Sequence, residues 1–207
     1  MPKRTKSSRR WLDEHHDDEF VKRARAEAWR SRAVFKLQEI DERDRLIKQG
    51  MVIVDLGAAP GGWAQYAVNR TQGNARVVAL DLLEMDPLPG VDFIQGDFRE
   101  DTVLEELDRR LGGAPVDLVL SDMAPNISGM SAVDQPRAIL LAELALEFAS
   151  RALREGGDLL MKVFQGAGYE DLVKQARLQF ETISVRKPKA SRPRSREVYL
   201  LARNHRS

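Results

Sequence analysis

The chain has 207 residues, of which 43% are hydrophobic and 31% charged, with 33 Lys/Arg against 32 Asp/Glu and no cysteine. That length suits one α/β domain with its own core. The lack of cysteine excludes disulfides, thiolate metal sites and a cysteine nucleophile, and fits a reducing cytoplasm, while no apolar run approaches the ~18 residues of a spanning helix.

The net charge of +1 hides an asymmetry. Residues 1–36 hold 11 Lys/Arg and 6 Asp/Glu, residues 186–207 hold 8 and 1, and the segment between holds 14 and 25. An acidic body with basic ends points to a polyanion gripped by those ends. Acids at Asp13 and Glu14 follow the basic N-terminus without an apolar stretch, which is not the pattern of a secretory signal.

In chain order, residues 1–16 read as a basic arm carrying Lys3, Arg4, Lys6, Arg9 and Arg10, with no apolar period. A polar helix is expected over 17–30, so that 1–30 form an N-terminal appendage to a domain spanning 31–207. His15 and His16, among acids, read as solvated, and Trp11 and Trp29 as packing residues. A second helix is expected from a Ser31 N-cap to Lys48, with Val34, Leu37 and Ile40 on one face and Gly50 closing it. Strands are then expected at 51–55, 76–80, 91–95, 116–121, 157–163, 182–186 and 197–202, and helices at 62–71, 101–110, 134–154 and 169–179. Such alternation argues for a parallel sheet covered on both faces. Between the last two strands lie only Lys187–Arg196, with two prolines, too short for a parallel crossover, so these two should pair antiparallel.

The most informative stretch is Val52–Trp63, VIVDLGAAPGGW. A buried strand runs into a glycine-rich turn and then a helix, the arrangement that brings backbone N–H groups to a nucleotide-like ligand. The pattern is D-x-G-x-x-P-G-G-W and not the G-x-G-x-x-G of a dinucleotide fold. Pro60 removes a donor where a pyrophosphate would need one. Asp81 and Asp97 end the next two strands, where one acid can accept ribose hydroxyls and the other an adenine amino group.

The segments DLGAAPGGWAQY, ALDLLEMD, VDFIQGDF, LVLSDMAPNISG, GGDLLMKVFQG and RPRSREVYLLARN, in this order, resemble the RrmJ/FtsJ family of ribosomal RNA 2′-O-methyltransferases. The resemblance runs from about Arg30 to the C-terminus. It implies a Rossmann-like α/β fold with a seven-stranded, mostly parallel sheet, an antiparallel last strand and helices on both faces. It also implies S-adenosyl-L-methionine as cofactor, held at Gly61, Trp63, Asp81, Asp97 and Asp122, and no metal. A Lys-Asp-Lys-Glu tetrad falls on Lys36, Asp122, Lys162 and Glu197, with Lys162 as proton acceptor.

Read by themselves, Lys36 is an ordinary helix lysine and Glu197 a strand-edge acid. Lys162 stands out because it interrupts the apolar run Leu159–Phe164, where an unpaired amine is costly. Arg192, Arg194 and Arg196 flank Glu197 and, with the N-terminal cations, are candidate RNA contacts. The resemblance further implies a uridine in the A-loop of 23S ribosomal RNA as target, in an assembled large subunit, and a cytoplasmic monomer. The alternatives are a transfer RNA or messenger RNA cap 2′-O-methyltransferase, a nicotinamide-dependent oxidoreductase and a non-catalytic RNA-binding module.

Overall fold

Seven strands carry the molecule, and a computed structural model describes residues 18–126, 128–192 and 194–206 of it. The elements are α1 (Glu19–Ala26), α2 (Val34–Asp44), β1 (Val52–Leu56), α3 (Gly62–Arg70), β2 (Arg76–Asp81), β3 (Val91–Gln95), α4 (Asp101–Leu111), β4 (Val116–Ser121), α5 (Ser131–Ala152), β5 (Leu153–Phe164), α6 (Tyr169–Gln179), β6 (Phe180–Arg186) and β7 (Glu197–His205). They form one sheet in the order β3-β2-β1-β4-β5-β7-β6. The expected Rossmann-like sheet with helices on both faces is therefore present. The α6 crossover leaves a strand position empty between β5 and β6, and β7 fills it, antiparallel to both.

Alternation along the strands divides the core. Val54 and Leu56 face one layer with Leu107 of α4, Phe148 of α5 and Leu172 of α6. Ile53 faces the other with Leu37 and Ile40 of α2 and Trp63 and Ala67 of α3. The register of β5 against β7 opposes Lys162 to Tyr199 and Phe164 to Glu197. Opposed residues share a face and so do residues two apart, so Lys162, Tyr199 and Glu197 all project to the α2 layer.

Several boundaries differ from expectation for identifiable reasons. Helix α2 has Ala33 as N-cap with no side-chain cap; Ser31 contributes only its carbonyl, which accepts from the Val34 N–H at 3.3 Å. It stops at Asp44 and not Lys48, with Arg45 left-handed at φ 53°. The buried Asp41 carboxylate ends it by accepting from Ile47 N at 2.8 Å, Tyr66 OH at 2.9 Å and Arg70 Nε at 3.0 Å. Helix α1 is shorter than 17–30: Asp18 caps it by accepting from Phe20 N, and Ala28 leaves it at φ 58°. Its Val21 and Ala24 are buried, and its Phe20 ring lies 5.7 Å from that of Phe35. Trp29 packs on Tyr66, centroids 6.1 Å apart. Helix α5 begins at Ser131, three residues early, and β5 begins at Leu153, pairing with Val116 before a register shift. Lys3, Arg4, Lys6, Arg9, Arg10, Trp11, His15 and His16 lie outside the described residues.

Candidate active site

The carboxyl ends of β1, β2 and β4 meet at the glycine turn. Gly57 has φ 75°, and a Cβ there would stand 2.8 Å from the Met123 backbone nitrogen, so the turn and the segment after β4 touch backbone to backbone. Gly61, at φ 104°, is the N-cap of α3, and a Cβ there would meet Met85 Sδ at 2.9 Å and Arg30 at 3.1 Å. Only glycine fits such closely approached left-handed positions without strain. Asp81 fastens the turn: Oδ2 accepts from Ala59 N and Oδ1 from Leu83 N, each at 2.8 Å. Each oxygen keeps a second lone pair, enough to accept a hydroxyl. The Arg30 guanidinium joins the same corner, donating to the carbonyls of Pro60, Asp86 and Pro87 at 3.3, 2.6 and 2.6 Å.

Asp97 sits at the end of β3, with its carboxylate held by Arg99 through the backbone N–H at 3.0 Å and the guanidinium. The Arg99 hydrogen bonds lower its pKa to about 2. The Trp63 indole is buried, donates to Ala33 O at 2.8 Å and lies 5.6 Å from the Tyr199 ring.

Asp55 is fully buried at the end of β1 and has no hydrogen bond of ordinary geometry to either carboxylate oxygen. Burial, followed by the charge of Asp122, pushes its pKa up to about 8; the Ala64 backbone N–H in the first turn of α3 offsets this only in part.

Beyond β4 the four residues of the expected tetrad come together as two coupled pairs. Lys162 Nζ lies 3.1 Å from Asp122 Oδ1 and donates to the Asp122 carbonyl at 2.5 Å, with 8% of its side chain exposed. Lys36 Nζ lies 2.7 Å from Glu197 Oε1. Tyr199 links the pairs: its OH donates to Asp122 Oδ1 at 2.7 Å, and Lys36 Nζ stands 5.6 Å from its ring centroid. Ser191 Oγ donates to Glu197 Oε1 at 2.8 Å.

This cluster beside a glycine turn agrees with the family comparison, in which residues 29–205 match the FtsJ-like methyltransferases. The chain belongs to that family. It is 60% identical over 202 residues to ribosomal RNA large subunit methyltransferase E of Legionella pneumophila (strain Corby), covering 98% of each chain. It is 59% identical over 207 residues to the protein of the same name from Xanthomonas campestris pv. campestris (strain B100), covering 100% of this chain and 99% of that one. Among solved structures it is similar to a putative ribosomal RNA methyltransferase from Plasmodium falciparum, with a TM-score of 0.78, 30% identity and coverage of 86% and 98%. Human methyltransferase-like protein 13, solved with SAH, shares the fold at a TM-score of 0.54 and 14% identity, with coverage of 84% and 78%.

In this FtsJ-like methyltransferase the cluster's electrostatics follow from its pairing. Burial works to raise the Asp122 pKa, but Lys162, Lys36 and the Tyr199 hydroxyl outweigh it, and the carboxyl is held below the usual range. Burial first, then the charges of Asp122 and Glu197, push the Tyr199 phenol well above 10. Asp122 is thus an anion, Tyr199 a neutral donor.

The remaining candidates take up varied positions. Arg196 is exposed and donates to Ser131 Oγ at 3.1 Å, tying the β6–β7 loop to the start of α5. Arg192 is half-buried and Arg194 exposed. Ser128 and Gly129 donate their N–H groups to Asp134, which fastens the preceding loop to the first turn of α5. Sequence reasoning assigned no role to Tyr199, Ser191 or Asp55. Tyr199 had a signal, since it lies two residues from Glu197 on one strand and so on one face. Ser191 had none, because its contact depends on how the loop folds back.

Proposed function

We propose that this protein transfers a methyl group from S-adenosyl-L-methionine to a ribose 2′-OH of RNA, at a uridine of the A-loop of 23S ribosomal RNA in the large subunit. The observation that carries this reading is the part-buried Lys162–Asp122 pair, 3.1 Å apart, at the strand ends that hold the glycine turn. The names of relatives identical at 59–60% over nearly the full chain support the large ribosomal subunit as the source of substrate.

The residues present fit the cofactor. The turn offers close backbone approach at Gly57 and Gly61 but lacks a phosphate fingerprint. The Asp122 anion offers negative charge to a cationic ligand. Asp81 would take the ribose hydroxyls, Asp97 the adenine amino group beside Arg99, and Gly61, Trp63 and Asp122 the rest. When bound, S-adenosylmethionine supplies an electrophilic methyl group.

The chain's own residues then solve the other half of the problem. A ribose hydroxyl is a weak nucleophile, so it must be aimed and lose its proton near the transition state. Lys162 Nζ is the group that would take the proton from O2′. Lysine can serve as a general base; here Nζ is largely buried, 3.1 Å from the Asp122 carboxylate that orients it. Asp122 orients Lys162, and its charge is divided among Lys162, Lys36 and the Tyr199 hydroxyl. Lys36 and Glu197 hold the hydroxyl and its neighbours.

RNA would be gripped by Arg192, Arg194 and Arg196 and by Lys3, Arg4, Lys6, Arg9 and Arg10. Arg32 bonds both the Asp18 carboxylate at the start of α1 and the Ala190 carbonyl in the β6–β7 loop. The proposed setting is a cytoplasmic monomer acting on an assembled subunit without a metal.

The test is transfer of a labelled methyl group to large ribosomal subunits, free RNA and transfer RNA, with the product nucleotide mapped. A 2′-O-methyluridine made chiefly in large subunits supports the proposal. Methylation of a base, or of transfer RNA alone, overturns it.

A further inference from the structure

We infer that Ser191 is a positioning residue: its hydroxyl fixes the rotamer of Glu197, and through it the Lys36 ammonium, for attack by the ribose hydroxyl. The inference rests on the reading of Glu197 as part of the catalytic centre.

Two donors converge on one oxygen. Glu197 Oε1 accepts from Lys36 Nζ at 2.7 Å and from Ser191 Oγ at 2.8 Å, and Oε2 takes neither bond. A carboxylate held by lysine and by a Tyr199 hydroxyl that also serves Asp122 can still swing about those contacts, because an ammonium is a near-isotropic donor. A second donor of fixed direction removes that freedom, and a hydrogen bond to an ionised acceptor is of the stronger kind.

Ser191 is unusually well placed to supply that direction, although it lies in a loop. It is 4% exposed and Ala190 is 1% exposed. Its N–H donates to Pro188 O at 2.9 Å. On one side Lys189 N donates to Glu39 Oε2 at 2.8 Å, and Arg32 bonds the Ala190 carbonyl. On the other, Lys187 Nζ donates to Ser195 O at 2.7 Å and also bonds Glu197 O, and Glu197 N donates to Ser195 Oγ at 3.1 Å. The loop is thus strapped to the N-terminal part of the chain and to the start of β7. The segment that carries Arg192, Arg194 and Arg196 also holds the hydroxyl that aims the catalytic acid.

The test is a double-mutant cycle in single-turnover methylation of large ribosomal subunits, using Ser191→Ala, Glu197→Gln and both together. Ser191→Cys, which keeps volume but lacks a strong donor, guards against a packing artefact. Ser191→Ala and Ser191→Cys should each lower the single-turnover rate by about tenfold, the worth of one charge-assisted hydrogen bond that holds a reacting group in place. Affinities for S-adenosylmethionine and for the subunit should stay within about twofold, because Ser191 is 4% exposed and its hydroxyl is committed to Glu197. In the Glu197→Gln background, Ser191→Ala should cost little more, since residues acting through one another are not additive. A full rate in both Ser191 variants, or a Ser191 loss that adds undiminished to that of Glu197→Gln, overturns the inference. If Glu197→Gln alone leaves the rate unchanged, the inference falls together with the reading on which it rests, and the cycle identifies which has failed.

Discussion

The two halves of the site are built by different means. The proposed cofactor half, at the ends of β1, β2 and β3, is made largely of backbone: a turn that only glycine can form, and acids that already serve the chain's own N–H groups, as Asp81 does for Ala59 and Leu83. The reacting half, at β4, β5 and β7, is made of side chains whose partners lie far apart in sequence, 161 positions in the case of Lys36 and Glu197. The first half is held by short-range turns and by the backbone approach of Gly57 to Met123 after β4. The other half exists only when β7 is inserted between β5 and β6, because the β5–β7 register alone opposes Lys162 to Tyr199. Substitutions should therefore separate binding from chemistry.

The largest expected effect is Lys162→Ala. Loss of a positioned base should lower turnover by ~10²–10⁴-fold, with S-adenosylmethionine affinity nearly unchanged. Calorimetry and single-turnover rates measured on one preparation check this, and a large loss of cofactor affinity would show the halves to be one unit.

Asp55→Asn probes stability instead. A folded pKa near 8, against an ordinary value of 3.8, means that the folded chain binds one proton more than the unfolded chain between those values. Stability from this group is complete below pH 4 and falls as pH rises toward 8. Asparagine removes that slope, so in the absence of cofactor the variant should gain on the parent as pH rises from 4 to 8, by about 1.4 kcal/mol for each pH unit. Denaturant titrations at several pH values test it, and a constant difference would contradict the raised pKa of Asp55.

Asp81→Asn should weaken cofactor binding by about tenfold, since one acceptor becomes a donor facing an N–H. The rate at saturating cofactor should hold within about threefold. A loss confined to that rate would reverse the proposed division.

The smallest effect on chemistry is expected from replacing Arg192, Arg194 and Arg196 together by Ala. RNA affinity should fall and its salt dependence flatten, by roughly 0.7 to 0.9 in slope for each phosphate no longer neutralised. An unchanged slope would assign those arginines to the fold, as the Arg196–Ser131 bond already does in part.

Much of this was legible in the sequence because it is periodic or local. β3, β4 and α6 fall on the expected residues, as strands and helices bounded by turn chemistry should. Lys162 was visible because a charge within Leu159–Phe164 breaks an apolar strand. The end of α2 was not visible, because Asp41 stops the helix through Tyr66 and Arg70 on α3. The commitment of the Trp63 ring to Ala33 was hidden for the same reason, as was the Ser191–Glu197 bond. All three depend on contacts between elements, which no local pattern encodes. Asp55 was seen only as the acid that ends a strand, and its lack of a partner is a property of the packed α3 layer.

The central claim is that Lys162 removes the proton and does more than contribute charge. Lys162→Arg tests it most directly, since a guanidinium keeps the cation beside Asp122 but cannot accept a proton at neutral pH. With folding and cofactor affinity verified, the single-turnover rate on large ribosomal subunits should remain near that of Lys162→Ala. A rate near that of the parent would contradict the claim and place proton transfer elsewhere.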